Sequence, residues 1–370
     1  MKIAHSADWH LMSMHLRTTE RRADFLRAAK SAIHKASEDG CAAILSCGDI
    51  LDKKNPNSEN IEDLAELDRY ARALRIKVLA ITGDHDKSEP TWLDLLRKFT
   101  GSADDAAGII CIDNQRYVLE HEGQKLTIVG RPFMEPEAFV DSLKKEEPAD
   151  VLVWHHMIKE FAHFPDAPGL NLDDAPLEKF RAFLLGDLHK RMYITHKSGC
   201  VVGYPGALET IKRDEPIEHS ITVFDFAEKD LLASAVEIKT WSRAVLLARL
   251  ETEEQVQGLI KAITTMKDHK PLVFGRYSRK LDDVNSRVQR AVGTDSCYLR
   301  LQALPSVSIE GLFTKGGEVK PGKELADFIV EFFPSGTLES ETAKELCLDG
   351  ADPMKILAAY EEKALSQIPA

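Results

Sequence analysis

No apolar run in this 370-residue chain approaches the roughly 20 residues that a membrane-spanning helix needs. The start, MKIAHSADWH, enters a strand directly and carries no secretory apolar region, so the expected location is the cytoplasm, of a bacterium or of a phage-infected host. Cysteine is sparse. The six residues at 41, 47, 111, 200, 297 and 347 form no CxxC pair and no metal-ligand spacing, which excludes a disulfide scaffold and reads as reduced core thiols. A basic excess is also missing: 48 Lys and Arg stand against 60 Asp and Glu, a formal net charge of −12. That balance argues against a protein that coats DNA by charge alone. It leaves room for carboxylates that cluster around cations and present those cations to phosphates. Internal repeats and low-complexity tracts are absent too. What is present, 44% hydrophobic and 29% charged residues, describes an ordinary globular chain long enough for more than one domain.

The first 240 residues alternate short apolar runs with helical patterns, the signature of a layered α/β fold. Five runs matter: Lys2–Ser6, Ala42–Cys47, Lys77–Thr82, Asp150–Trp154 and Ala182–Leu185. Between the first two, the pattern predicts a helix of about 20 residues, with Thr18 or Thr19 as N-cap, Gly40 just past its end, and Phe25, Leu26, Ala29 and Ile33 on one face. A second helix is expected over Glu59–Leu74, and a third opens at Thr91 with Asp94 three residues on. The Pro-, Asp- and Gly-rich stretch 161–176 reads as a long loop, of a length that is often functional inside a compact domain. After about Trp241, strands at Ala244–Leu250, Pro271–Tyr277 and Ser296–Leu301 alternate with helical stretches near 252–266 and 280–292. From Pro321 onward the chain reads as helices. The expected domains are therefore 1–240, 241–320 and 321–370.

Each of the five runs is followed at once by metal-ligand chemistry. The first leads into Asp8-Trp9-His10, the second into Gly48-Asp49, and the third into Gly83-Asp84-His85-Asp86. His155-His156 follows the fourth and Gly186-Asp187-Leu188-His189 the fifth. Loops beyond the carboxyl ends of strands converge on one crevice, so five segments would deliver carboxylates and imidazoles to one place. Asp8 and His10 are two apart, which in an extended segment points both side chains the same way. The glycines before Asp49, Asp84 and Asp187 are expected to turn the backbone sharply off each strand. Mixed oxygen and nitrogen ligands suit manganese, iron or zinc better than calcium. Each motif alone has an ordinary explanation as a turn or a cap. Their order, each at a strand end, does not.

The ordered set D-x-H, G-D, G-[N/D]-H-D, H and G-x-x-H resembles the calcineurin-like metallophosphoesterase superfamily, and within it the SbcD and meiotic-recombination-eleven type nucleases and their phage relatives. Supporting segments are Gly48-Asp49-Ile50-Leu51-Asp52, Gly130-Arg131-Pro132 and Gly203-Tyr204-Pro205-Gly206-Ala207-Leu208-Glu209. The resemblance implies a four-layer α/β/β/α sandwich, a small α/β cap domain and a helical C-terminal tail. It implies two divalent ions, with Mn2+ expected and Mg2+ the alternative. Asp8, His10, Asp49 and His189 would hold the first; Asp49, Asp84, His155 and Asp187 would hold the second, with His155 favoured over His156. His85 would contact the scissile phosphate and help the leaving oxygen, and Asp86 would orient its ring.

Two positions depart from the family pattern: Asp84 stands where Asn is usual, and Asp187 where His is usual. Both fall on the second ion, and the added negative charge should favour harder ions there. Asp52 stands where some of these nucleases have His, which leaves the exonuclease–endonuclease balance open. Lys53, Lys54, Arg131, Lys190 and Arg191, with Lys212 and Arg213, are candidate contacts for flanking phosphates of DNA. The resemblance further implies a homodimer through the 17–39 and 59–74 helices. It also implies a partner ATPase related to the structural-maintenance-of-chromosomes proteins, bound through the C-terminal helices, where Leu325, Phe328, Ile329 and Phe332 stripe one face of Lys323–Phe333. The expected activity is a two-metal DNA nuclease of an end-processing complex. The alternatives are a phosphoesterase acting on a small phosphoester such as a cyclic nucleotide, and a catalytically weakened scaffold.

Overall fold

The computed structural model describes residues 1–304 except positions 13, 17, 89, 94, 97–106, 162–168 and 267–269. The expected C-terminal helices, including Lys323–Phe333, and the Asp94 cap lie outside the described residues.

Two six-stranded sheets carry the fold. The first holds β1 (Lys2–Ser6), β2 (Ala43–Ser46), β3 (Lys77–Ala80), β4 (Gly108–Cys111), β11 (Ser220–Asp225) and β12 (Val236–Lys239), in the order β12-β11-β1-β2-β3-β4. The second holds β5 (Arg116–His121), β6 (Gln124–Gly130), β7 (Ala149–His155), β8 (Phe180–Gly186), β9 (Met192–Thr195) and β10 (Val201–Tyr204), in the order β5-β6-β7-β8-β10-β9.

The two-residue period of a strand explains the layers. On β2, Ala43 and Leu45 face the same apolar cluster as Val151 and Val153 of β7 and Ala182 and Leu184 of β8, which is the seam between the sheets. Ile44, one residue out of phase, packs with Phe25, Ala29 and Ile33 of α1 (Arg22–Glu38) and Leu64 and Leu67 of α2 (Ser58–Ala73). On the far side, Leu152 and Trp154 pack with Phe139 and Leu143 of α3 (Pro136–Leu143). Helix, sheet, sheet, helix is the four-layer order expected.

The helix ends correct one detail. The N-cap of α1 is Arg21, which makes no side-chain capping bond, while Thr18 pairs with His15 instead. Gly40, at φ +73°, does take the left-handed position just past the helix end. Helix α2 opens on a reciprocal capping box between Asn57 and Asn60, a device worth about 1 kcal/mol.

Residues 245–303 form the expected β-α-β-α-β unit. Its strands β13 (Val245–Leu250), β14 (Leu272–Tyr277) and β15 (Tyr298–Ala303) make one parallel sheet, with α4 (Glu253–Thr265) and α5 (Val284–Val292) on its face around Val256, Ile263, Val284 and Val288. No helix among the described residues is long and apolar enough to cross a membrane.

Candidate metal centre

Register brings the motifs together. Ser6 pairs with Ser46, and Ser46 with Ala80, so β1, β2 and β3 end level and release their loops at one edge. His155 pairs with Gly186 at the matching ends of β7 and β8 in the other sheet. The five motifs therefore meet across both sheets rather than along one.

The Asp8–His10 segment is not extended. Asp8 (φ +54°), His10 (+44°), Asp49 (+52°) and Asp187 (+102°) all sit at positive φ, where a side chain costs about 1–3 kcal/mol. Main-chain bonds hold them there. Asp8 N donates to Gly48 O at 3.1 Å, His10 N to Asp49 O at 3.0 Å and Leu11 N to Ile50 O at 2.8 Å, and Asp187 N donates to the Asp8 carboxylate at 3.0 Å.

The glycines also differ from expectation. Gly48 does turn the chain, at φ +91°. Gly83 and Gly186 serve close approach instead. A Cβ on Gly83 would lie 2.1 Å from Asp49 Oδ1, and one on Gly186 would lie 2.0 Å from Cys47 O and 2.6 Å from His155 Nδ1.

Ligand-type atoms within 4.8 Å of one another come from Asp8, His10 and His189, from Asp8, Asp49 and His155, and from His10, Asp52 and His85. Asp8 belongs to both of the first two groups, and Asp49 of the second faces a histidine of each of the three. Asp49 Oδ2 is 3.9 Å from His10 Nε2, 3.4 Å from His155 Nε2 and 4.0 Å from His85 Nε2. His155 Nδ1 donates to Cys47 O at 2.7 Å, and His189 Nδ1 to Glu215 Oε1 at 2.8 Å, so both rings turn Nε2 inward. His10 Nε2 and His189 Nε2 face each other at 3.1 Å. Buried His155 Nε2 and His10 Nδ1 have no hydrogen-bond partner. An orphaned buried nitrogen costs about 1–3 kcal/mol, and a cation among these donors would satisfy His155 Nε2. The donor set fits divalent ions that accept both imidazole and carboxylate.

Burial raises the Asp8 carboxyl to about 6, against the pull of His189 and His155. Burial holds His10 down to about 3, helped by the neighbouring His189, so its ring stays neutral as a ligand must. Between Asp49 and His155, burial opposes both charges and loses. The facing groups pull Asp49 below the ordinary carboxylate range and lift His155 to about 10, with Asp8 and Asp187 adding to the lift.

Other expected residues stand apart from these clusters. Asp84 is half-exposed and its carboxylate pairs with Lys87. Asp187 is half-buried, near enough for its charge to act on Asp8, His155 and His156. His156 stacks on Phe133 and Trp154 and does not join the donor groups. Asp86 does not orient His85. It is buried and accepts from the main-chain N–H groups of Ile50 (3.0 Å), Leu51 (2.7 Å) and Gly83 (3.1 Å), bracing two ligand loops together. The ring of His85 is held by the Asp52 carbonyl, which accepts from Nδ1 at 2.6 Å.

Among the basic candidates, Lys53, Lys54, Lys190 and Lys212 are exposed. Arg191 bonds Thr222 Oγ1 at 3.1 Å and lies over the Tyr193 ring. Arg131 is buried, with its guanidinium on Glu146, Ser142 and the Gly130 carbonyl, so its charge serves the fold rather than a phosphate. Two partners had no sequence signal. Glu215, which holds His189, belongs to no motif, and the buried Arg21 joins its near neighbour Asp24 to Glu209 and the Thr210 carbonyl, which lie 188 and 189 residues further along the chain.

Comparison with known proteins agrees with this geometry. A family model described as calcineurin-like phosphoesterase matches residues 1–191. The DNA double-strand break repair protein Mre11 of Methanosarcina mazei is 25% identical over 261 residues, 69% of this chain and 41% of that protein. Its namesake from Methanosarcina acetivorans is 25% identical over 304 residues, 77% of this chain and 47% of that one. The chain thus spans less than half the length of these two relatives. The protein of the same name from Thermoplasma acidophilum is 23% identical over 291 residues, 73% of this chain and 74% of that protein.

Proposed function

This chain belongs to the calcineurin-like phosphoesterase family, and from that premise we propose that it is a two-metal DNA nuclease. The observation that carries the reading is the buried His155 Nε2, which has no hydrogen-bond partner and faces the Asp49 carboxylate inside a cluster of ligand-type atoms, beside a half-exposed histidine with one nitrogen committed. Asp8, His10, Asp49 and His189 hold one ion, and Asp49, His155, Asp84 and Asp187 the other, with Mn2+ favoured and Mg2+ next. Bound there, the two cations supply Lewis acidity and an activated water for attack on a phosphodiester.

The chain's own residues set the remaining chemistry. With Nδ1 committed to the Asp52 carbonyl, His85 exchanges protons only through Nε2, on the side of Asp49. A proton held there can pass to the leaving oxygen as the ester bond breaks. Asp86 acts behind it by fixing the loops, not by contacting the ring. Lys53, Lys54, Lys190 and Lys212 offer cations to flanking phosphates, each a salt-sensitive contact.

DNA as substrate is supported by the names of the relatives, all DNA double-strand break repair proteins. The same resemblance supports an end-processing complex with an ATPase related to the structural-maintenance-of-chromosomes proteins, a homodimer, and the 241–320 region as a cap over the DNA path. The test is Mn2+-dependent cleavage of labelled single- and double-stranded DNA. His85→Ala should lower the rate by about 10²–10⁴-fold. If the wild type leaves DNA intact, with or without the ATPase, but hydrolyses p-nitrophenyl phosphate, the DNA reading is wrong.

A further inference from the structure

Three imidazoles of the centre have their Nδ1 committed, and they are committed to different partners. His155 donates to the Cys47 carbonyl and His85 to the Asp52 carbonyl, whereas His189 donates to a carboxylate, Glu215. Glu215 is itself fixed. Its other oxygen, Oε2, accepts from Ile211 N at 2.6 Å and Lys212 N at 2.9 Å, and its side chain is only 9% exposed. A carboxylate tied by two main-chain N–H groups cannot swing to follow the imidazole, so the imidazole follows it.

The segment that bears Glu215 is pinned at its other end as well. Glu209 accepts from Arg21 and from Arg243 N, Arg21 also bonds the Thr210 carbonyl, and His15 donates to the Ile211 carbonyl at 2.9 Å. Residues 209–215 therefore form a short rigid strap running from the base of the small sheet to a ligand of the metal centre.

We infer that Glu215 is the positioning residue for the metal ligand His189. It fixes the tautomer with Nδ1 protonated, aims Nε2 at the site shared with His10 and Asp8, and adds negative charge behind the ring that strengthens it as a donor. This rests on the metallophosphoesterase reading above and goes beyond it. The residue touches neither ion nor substrate and acts through His189.

The experiment measures Mn2+ affinity by calorimetry on the full chain, with folding checked by circular dichroism in the absence of metal. Glu215→Ala should weaken the tighter Mn2+ site by about 10–100-fold. Glu215→Gln retains an acceptor oxygen and should lose less. In a His189→Ala background, Glu215→Ala should add little, because its effect passes through the ring it would position. A strap role alone predicts a lower Tm with unchanged Mn2+ affinity and the same loss in both backgrounds, and that result would overturn the inference. A wild type that binds Mn2+ but cuts no DNA ends the nuclease reading and leaves this one standing. A wild type that binds no Mn2+ ends both.

Discussion

The two halves of the centre are built differently. Around Asp8, His10 and His189 every group is already in place: the carboxylate and His10 are buried, the backbone at Asp8 and His10 is held at positive φ, and Glu215 fixes the third ligand. On the other side Asp49 and His155 are comparably set beside Asp8, while Asp84 is paired with Lys87 and Asp187 stays half-buried outside the clusters. On the proposed ligand set, the first half is ordered on folding, whereas the second would have to break the Asp84–Lys87 pair and move a carboxylate when an ion arrives. Preorganised sites bind more tightly for the same ligands. The centre should therefore hold one ion tightly and one weakly.

The largest effect should come from the residue both halves share. Asp49→Ala removes the carboxylate that faces His10, His155 and His85, and both ions should be lost together with cleavage, a fall of about 10³-fold or more. Calorimetry and single-turnover cleavage read this directly; a variant that retains one ion at wild-type affinity breaks the idea of a shared ligand. Gly83→Ala comes next, since its methyl would press on Asp49 Oδ1. Overpacking of this kind costs about 1–3 kcal/mol, so Tm should fall and both ions should weaken.

Smaller effects separate the halves. Asp84→Ala and Asp187→Ala should weaken the second ion by about tenfold and leave the first within about twofold, a difference that Mn2+ titrations resolve. Lys87→Met should do the opposite on a small scale. Without its ammonium competing for Asp84, the weaker ion should bind about twofold to fivefold more tightly, the worth of a surface ion pair. If Lys87→Met weakens that ion instead, the pair supports the site rather than blocking it.

The strand ends were legible because glycine, aspartate and histidine follow apolar runs, and the near-continuous apolar character of those runs fits strands buried on both faces. The layered α/β class and the β-α-β-α-β unit followed from the alternation of strand and helix patterns, whereas the four-layer order was implied by the family resemblance. What escaped was set by contacts distant in sequence. Asp8 and His10 leave the extended conformation because their N–H groups find carbonyls some 40 residues away, at Gly48 and Asp49. Gly83 and Gly186 are glycines because another loop passes over them, which local turn chemistry does not encode. Asp86 looks like a partner for the adjacent His85, yet three main-chain N–H groups claim it. Arg131 and Glu215 show the converse: a charge that reads as surface is buried against a partner that no motif announces.

The central claim, a preformed tight site beside one completed on binding, is tested most directly by calorimetric titration of the metal-free full-length chain with Mn2+. The account predicts two ions per chain, the first bound at least about tenfold more tightly than the second, with Asp84→Ala and Asp187→Ala abolishing only the weaker step. Two steps of equal affinity, or loss of the tighter step in those variants, would contradict it.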